Sequence, residues 1–259
     1  MQLTWLGAAG FRLETVEGAV ILLDPFLSRP AEALPLLPLH PADLSPVDEI
    51  LLTQGRFDHA MDVPALVEQT GAIVHAAEAV CRNLINHGLS ANRLQPISPH
   101  HAKRIGSLRW YALRGQANQV DSSPSLRARL RNEAIYQHIQ PLEHAWPLGG
   151  VMAYLLECDE LTVMHFGSAG WEEAGLSGLT PDILLLPVER PAQPDDNVIR
   201  LASLLQPAII VPHHWDNYYP PLSEQVDLTP LTHILQTELP HTRIYQPTIG
   251  ERFNLIDLF

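Results

Sequence analysis

The sequence predicts an α/β protein, and three observations carry that prediction. Short apolar runs such as Val20-Ile-Leu-Leu23 and Ile183-Leu-Leu-Leu-Pro187 have the length and composition of strands. Segments of helical character alternate with such runs from Ile50 onward. A second strand-rich stretch, from Val151 to Val211, follows the first, so the chain holds two strand-rich halves with helices between them.

Taken in order, the first strands are expected at Gln2 to Leu6, Phe11 to Thr15 and Ala19 to Leu23. The stretch from Ser28 to Val47 contains Pro30, Pro35, Pro38, Pro41 and Pro46. Proline fixes φ and removes a backbone donor, so this stretch reads as an extended surface loop with a short helix at Ala31 to Leu34. Strand and helix then alternate: Ile50 to Thr53, Val63 to Thr70, Ala72 to His75 and Ala77 to His87, followed by a strand at Leu108 to Leu113. From Ser125 to Tyr136, Leu126, Leu130 and Ala134 fall on one face of an expected amphipathic helix. Val151 to Cys158, the Asp159-Glu160 turn and Leu161 to Phe166 form an expected hairpin. A strand at Ile183 to Pro187, a helix at Asp196 to Leu205, a strand at Ala208 to Val211 and a helix near Leu228 to Glu238 precede the C-terminal strands. No internal repeat or low-complexity tail interrupts the pattern, and a single domain over residues 1–259 is expected.

Composition bounds the function. A chain of 259 residues is long enough to bury roughly three quarters of its unfolded surface. Hydrophobic content of 46% with 17% charged residues is that of a globular protein. The net charge of −13 argues against a nucleic-acid partner, because such affinity depends largely on neutralising phosphates with Lys and Arg. Cys81 and Cys158 form no CxxC pair, and two cysteines in this length suggest a reducing compartment. The sequence shows neither a basic leader with an apolar core nor an apolar run of about 18 residues, so a cytoplasmic protein without a membrane partner is expected.

The most informative segment is Leu51-Leu-Thr-Gln54-Gly-Arg56-Phe-Asp58-His59, where an apolar run ends in a polar turn carrying an Asp-His pair. Strand ends that open into polar turns are where α/β proteins place chemistry. This segment resembles the Thr-His-x-His-x-Asp-His loop of the metallo-β-lactamase-fold hydrolases, with Gln54 and Arg56 at the two leading histidine positions. The opening, Leu3-Thr-Trp-Leu-Gly-Ala8-Ala-Gly-Phe-Arg-Leu-Glu with Val20-Ile-Leu-Leu-Asp24-Pro-Phe-Leu, is similar to the branch that includes the ascorbate-phosphate lactonases. That branch usually has a histidine where Ala8 sits. Val163-Met-His-Phe-Gly167-Ser168-Ala-Gly170 resembles the family's Gly-Asp-Thr-Gly turn, with Ser168 at the metal-bridging Asp position. Ile209-Ile-Val-Pro-His-His214 resembles the strand that carries the last ligand, which maps to His214, while the middle histidine position maps to Ala117.

The resemblance covers nearly the whole chain and implies a four-layer αββα sandwich. It also implies that one metal site is erased, through Gln54, Arg56, Ala117 and Ser168, while the ligand set of the other survives as Asp58, His59 and His214. Two imidazoles and a carboxylate suit an open divalent site of zinc, manganese or iron. Arg56 either replaces the lost cation, gripping a small anionic ligand, or pairs with Asp58 and excludes metal. The sequence leaves one divalent metal and none equally open.

Each residue also has a plainer reading. Asp58 and His59 suit a helix N-terminus, and His214 a hydrogen-bonded strand end. Asp24 either braces the loop from behind or caps a turn. His165 alternates with Met164 and Phe166 as a packed or surface histidine, and His213 or Asp216 would orient neighbours. His100 and His101 read as a solvated turn. Ser168 does not sit in Gly-x-Ser-x-Gly, and no strand-to-helix elbow is evident around it. The favoured expectation is a divergent member of reduced or lost hydrolase activity, with Asp58 and Arg56 as the reacting groups and Arg56, Gln54 and Ser168 contacting a small anionic ligand. The alternative is a single-metal hydrolase of a lactone, ester, amide or phosphoester using Asp58, His59 and His214.

Overall fold

The computed structural model describes residues 1–29, 35–116, 134–168, 170–188, 196–217, 224–225 and 227–259. The first half builds a seven-stranded sheet in the order β17-β1-β2-β3-β4-β5-β6. Its members are β1 (Gln2–Gly7), β2 (Gly10–Glu14), β3 (Val20–Leu23), β4 (Glu49–Leu51), β5 (Ile73–Ala77), β6 (Leu94–Ile97) and, returning from the C-terminus, β17 (Arg252–Asn254). β1, β2 and β3 meander antiparallel, whereas β3, β4, β5 and β6 are parallel. Pro96 is tolerated in β6 because that strand lies at the sheet's edge, where a missing N–H costs no ladder bond.

The second half builds an eight-stranded sheet, ordered β11-β8-β9-β10-β12-β13-β16 with β7 also pairing to β8. Its strands are β7 (Ala102–Ile105), β8 (Leu108–Gln116), β9 (Met152–Cys158), β10 (Leu161–His165), β11 (Gly170–Trp171), β12 (Ile183–Pro187), β13 (Ile209–His213) and β16 (Arg243–Ile244). A two-stranded ribbon, β14 (Asp216–Asn217) with β15 (Glu224–Gln225), follows β13. β3, β12 and β13 are buried along their whole length, as expected of parallel strands covered on both faces. β8 instead alternates buried and exposed positions over its first half, the signature of one covered face.

The two sheets pack face to face around one contiguous apolar cluster. Polar links cross between the sheets as well: the Tyr154 hydroxyl donates to the Leu52 carbonyl at 2.9 Å, and Met152 N donates to Thr53 O at 2.8 Å. The helices are α1 (Phe57–Ala60), α2 (Val63–Thr70), α3 (Glu78–Asn86), α4 (Ala134–Ala145), α5 (Asp196–Leu205) and α6 (Thr229–Glu238). α3 buries Val80, Cys81 and Leu84 and packs on β5 and β6, while α5 packs on β12. The result is the α/β four-layer sandwich that the sequence implied.

The element expectations hold for the hairpin β9–β10, for α2, α3, α5 and α6, and for strands β1 to β5, with boundaries shifted by a residue or two. Five strands were not expected: β6, β7 and the two-residue β11, β14 and β15. β6 carries a proline, and β7 reads Ala-Lys-Arg-Ile, too polar to stand out; both find their place by pairing with a longer neighbour. The helix expected at Ser125 to Tyr136 lies, up to residue 133, outside the described residues; a helix is observed at Ala134–Ala145, with Pro141 inside it. The expected helix at Ala31 to Leu34 lies outside the described residues. No helix among the described residues is long and apolar enough to cross a membrane.

Candidate metal centre

The site forms at the C-terminal end of β4, where the strand runs out into Leu52-Thr53-Gln54-Gly55-Arg56 before α1 begins. α1 is a single turn, and both Asp58 and His59 sit on it, fully enclosed. The turn is held from both sides. Gly55 N donates to Leu148 O at 2.8 Å, and a Cβ at position 55 would lie 2.7 Å from Pro147 O, so only glycine fits this close approach. His214 arrives from the other sheet, one residue beyond β13, in a left-handed conformation with φ of 64°. Its N–H donates to Ala8 O at 3.0 Å, and Ala8 is itself left-handed at φ 45°. Such backbone is sparsely populated outside glycine and persists only where the surroundings over-determine it.

Those surroundings are visible at Ala8. Its N–H donates to both carboxylate oxygens of Asp216, at 3.0 and 2.8 Å, and its carbonyl accepts from the Trp5 indole at 3.1 Å. Asp216, fully buried, is in turn paired with the Arg29 guanidinium. The Arg29–Asp216 pair therefore fixes the loop after β1 and, through Ala8, the backbone of His214. Asp216 thus bears on His214 through the backbone of Ala8. His213, the other expected orienter, is fully buried, and both ring nitrogens lack hydrogen-bond partners; burial, with His165 and His214 nearby, pushes its pKa well down.

Asp58, His59 and His214 converge, with one potential ligand atom from each lying within 4.8 Å of the others. His214 Nε2 lies 3.6 Å and His59 Nε2 3.8 Å from Asp58 Oδ2. Burial alone would raise the Asp58 carboxyl, but His59, His214 and Arg56 outweigh it and hold the pKa at about 2. The group is therefore an anion near neutral pH. Its other oxygen, Oδ1, is buried without a hydrogen-bond partner. A buried carboxylate oxygen with no donor is costly and demands an explanation.

Behind His59 lies Asp24, fully buried at the end of β3 with φ of 41°. Asp24 Oδ2 is 3.1 Å from His59 Nδ1 and 3.0 Å from His165 Nε2; it also accepts from Thr53 Oγ1 at 2.6 Å, while Oδ1 accepts from Thr53 N at 2.8 Å. Burial would raise the Asp24 carboxyl, yet these partners, His59 foremost, hold it far below the usual carboxylate range. An ionised Asp24 places the His59 proton on Nδ1 and directs the Nε2 lone pair into the site. Of the two sequence readings of Asp24, the brace is the one observed. Of the packed and surface readings of His165 the packed one is observed, and the ring is a buried partner of that brace. Alternation along β10 shows only that it faces inward, not that a carboxylate from the opposite sheet waits there.

Gln54 and Ser168 also reach the site. Gln54 Nε2 lies 2.7 Å from His59 Nε2 and 2.6 Å from Ser168 Oγ, and Ser168 Oγ lies 3.0 Å from His59 Nε2. Arg56 is half-buried at the N-terminus of α1. Among the described residues no ion pair joins it to Asp58, so the expected pairing that would satisfy Asp58 without an ion is not observed; its charge acts through space. Ala117 lies outside the described residues. Sequence reading missed Thr53 altogether, although its place between the strand end and Gln54 was the available signal.

The donors present fit a divalent ion. The orphaned Asp58 Oδ1, the carboxylate charge, and an imidazole whose far nitrogen is anchored by a buried carboxylate are the features of a three-ligand site with its outer support in place.

Residues 2–214 match the family model described as the Beta-lactamase superfamily domain. A metal-dependent hydrolase of Caldivirga maquilingensis is 25% identical over 257 residues, covering 98% of this chain and 97% of that protein. One of Myxococcus xanthus is 32% identical over 192 residues, 72% of this chain and 60% of the relative. Among solved structures, the metallo hydrolase Igni18 of Ignicoccus hospitalis superposes with a TM-score of 0.71 at 19% identity, with 98% of each chain covered. An isothiocyanate hydrolase from Delia radicum gut bacteria gives 0.68 at 20% identity, over 98% of this chain and 99% of that one. The fold, the site at the end of β4 and the match over residues 2–214 together establish that this chain belongs to the metallo-β-lactamase-fold branch of the β-lactamase superfamily.

Proposed function

We propose that the protein is a metal-dependent hydrolase that works with one divalent ion, held by Asp58, His59 and His214. The observation that supports this most is the convergence of Asp58, His59 and His214, with one potential ligand atom from each within 4.8 Å of the others, beside an Asp58 Oδ1 that is buried without a hydrogen-bond partner. When bound, the ion supplies Lewis-acid chemistry, lowering the pKa of a water towards about 7. The relatives' printed description as metal-dependent hydrolases favours the same reading.

The chain's own residues supply the remainder. Asp24 orients His59, drawing Nδ1 towards its carboxylate and turning Nε2 towards the site, while Thr53 and His165 hold Asp24. Arg56, with a permanent charge and a planar array of donors, grips an anionic group on the substrate. Gln54 and Ser168 occupy what the family resemblance marks as the position of a second ion, and offer neutral hydrogen bonds to a substrate there. The substrate class is a small lactone, ester, amide or phosphoester bearing a negative group.

The test is a substrate panel on protein purified without chelator. Hydrolysis should disappear on chelation, return with zinc, manganese or iron, and be lost in His214→Ala. Arg56→Gln should raise KM about tenfold with kcat little changed, the pattern of lost ground-state binding. Activity indifferent to chelation would refute the reading.

A further inference from the structure

The loop between β4 and α1 is held by two different parts of the fold. Leu52 and Thr53 are tied to the first sheet: Leu52 N donates to His75 O at 3.0 Å, and Thr53 N donates to Asp24 Oδ1 at 2.8 Å. Gly55 is tied elsewhere. Its N–H donates to Leu148 O at 2.8 Å, within the strap Trp146-Pro147-Leu148-Gly149-Gly150 that leads from α4 to β9. Asp58 and His59 follow Gly55 by three and four residues, so the strap sets where α1 begins. On the metal-dependent reading above, we propose that His87 and Trp146 latch this strap onto α3 and are thereby positioning residues for Asp58 and His59.

The strap is anchored at both ends of α3. At the C-terminal end, the buried Trp146 indole stacks on the His87 imidazole, with ring centroids 3.8 Å apart and planes 12° from parallel. His87 Nε2 lies 3.0 Å from Ala145 O, and Asn83 Nδ2 donates to the same carbonyl at 3.3 Å. Ala145 closes α4, where carbonyls have no partner within the helix, so these contacts also cap it. At the start of α3 the strap backbone comes close. A Cβ at Gly149, whose φ is 67°, would lie 2.8 Å from Val80 Cγ2, and one at Gly150 would lie 2.6 Å from Ala77 Cβ. Only glycines permit that approach. The Leu148 carbonyl that receives Gly55 N–H lies between these two anchors. α4 itself packs on α1, and beyond the strap Met152 N donates to Thr53 O at 2.8 Å.

His87 is exposed, so its stack with Trp146 can be removed without opening the core. Loss of the stack frees one end of the strap and loosens the hold on Gly55 N–H. α1 can then shift, and a ligand set must be held to within about 0.5 Å to converge on an ion. Side chains that hydrogen-bond metal ligands directly alter affinity about ten- to hundredfold. The latch acts one step further out, through backbone, and its effect should be smaller.

The experiment uses the full chain in three variants, each checked for folding by far-ultraviolet circular dichroism. His87→Ala removes the stack, and His87→Phe keeps a ring there. Tyr111→Ala removes a half-buried ring from β8, remote from the strap, and controls for general loss of stability. In chelator-treated protein, hydrogen exchange at the Gly55 amide, followed by NMR, should be about fivefold or more faster in His87→Ala than in the parent. The zinc Kd, by isothermal titration calorimetry, should rise about three- to tenfold in His87→Ala. The visible absorption of the cobalt(II)-loaded protein should change in the same variant. His87→Phe and Tyr111→Ala should match the parent within about twofold in exchange and Kd. A folded His87→Ala with parental Gly55 exchange and zinc Kd, or changes equalled by Tyr111→Ala, would overturn the proposal. A parent that binds no zinc sinks the metal reading by itself, and the Gly55 exchange rates still support or overturn the latch.

Discussion

Replacing Asp58 by Asn keeps the shape of the side chain and removes its charge, which makes it the sharpest perturbation of the metal centre. The wild-type site should couple ion binding to stability, because the unfolded chain brings no such ligands together. At a free ion concentration one hundred times the Kd, binding to the native state alone adds about 2.7 kcal/mol. For a chain of 259 residues, an unfolding entropy of about 2.1 cal/mol/K per residue gives roughly 0.5 kcal/mol per kelvin near the midpoint. The expected rise in Tm is therefore about 5 °C. The variant loses the only carboxylate among the three candidate ligands, whose Oδ1 has no hydrogen-bond partner among the described residues. Its shift under the same conditions should stay within about 1 °C. Differential scanning calorimetry across a zinc or manganese titration measures both. Equal shifts in the two proteins would mean that the ion binds elsewhere, and the geometric argument for Asp58, His59 and His214 would fail.

Three other outcomes follow from groups away from the ligands. Glu49 is buried at the start of β4, where burial would raise its pKa but His75, Lys103 and Trp110 Nε1 at 2.9 Å hold it at about 2. Its folded pKa is depressed below the unfolded value of about 4.3, so it stabilises the native state above that pH and the benefit is lost as pH falls towards 2. Urea titrations of Glu49→Gln should show a flatter stability profile over that window, by on the order of 2–3 kcal/mol, and an unchanged profile would remove Glu49 from the account. Gly167→Ala combines a left-handed backbone with a collision on Thr53, and should cost more than about 2 kcal/mol in chemical denaturation. A neutral result would mean that the turn is free to move. Arg29→Met leaves the fully buried Asp216 without its cation; breaking such a pair typically costs about 3–5 kcal/mol, and a loss below about 1 kcal/mol would show that Asp216 is compensated by Ala8 N alone.

Much of the fold was legible because its strands are short, apolar and separated by turn residues. Val20–Leu23 and Ile183–Pro187 could hardly be anything but buried strands, and the Asp159-Glu160 turn announces its hairpin, with both residues left-handed in the structure. β6 and β7 were hidden for a physical reason: edge strands are polar or carry proline, and what makes them strands is the neighbour they pair with. The candidate ligands Asp58, His59 and His214 were legible through family resemblance, since nothing in their spacing brings residues 59 and 214 together. The support behind them was less visible. His165 and Thr53 matter because of where Asp24 projects from the opposite sheet, a relation that periodicity does not encode. Arg56 was weighed as a partner for Asp58 on sequence proximity, but the turn into α1 separates the two groups beyond ion-pair distance, leaving Asp58 Oδ1 without a donor. The cluster of Glu49, His75, Lys103 and Trp110 joins four strands and carried no signal in the sequence at all.

The central claim is that one ion, and not two, is held by Asp58, His59 and His214. Elemental analysis of the full chain, purified without chelator and exchanged into metal-free buffer, tests it most directly. The account predicts close to one zinc, manganese or iron per chain, falling to near zero in Asp58→Asn and His214→Ala. Two ions per chain, or none after reconstitution with any of the three metals, would contradict it.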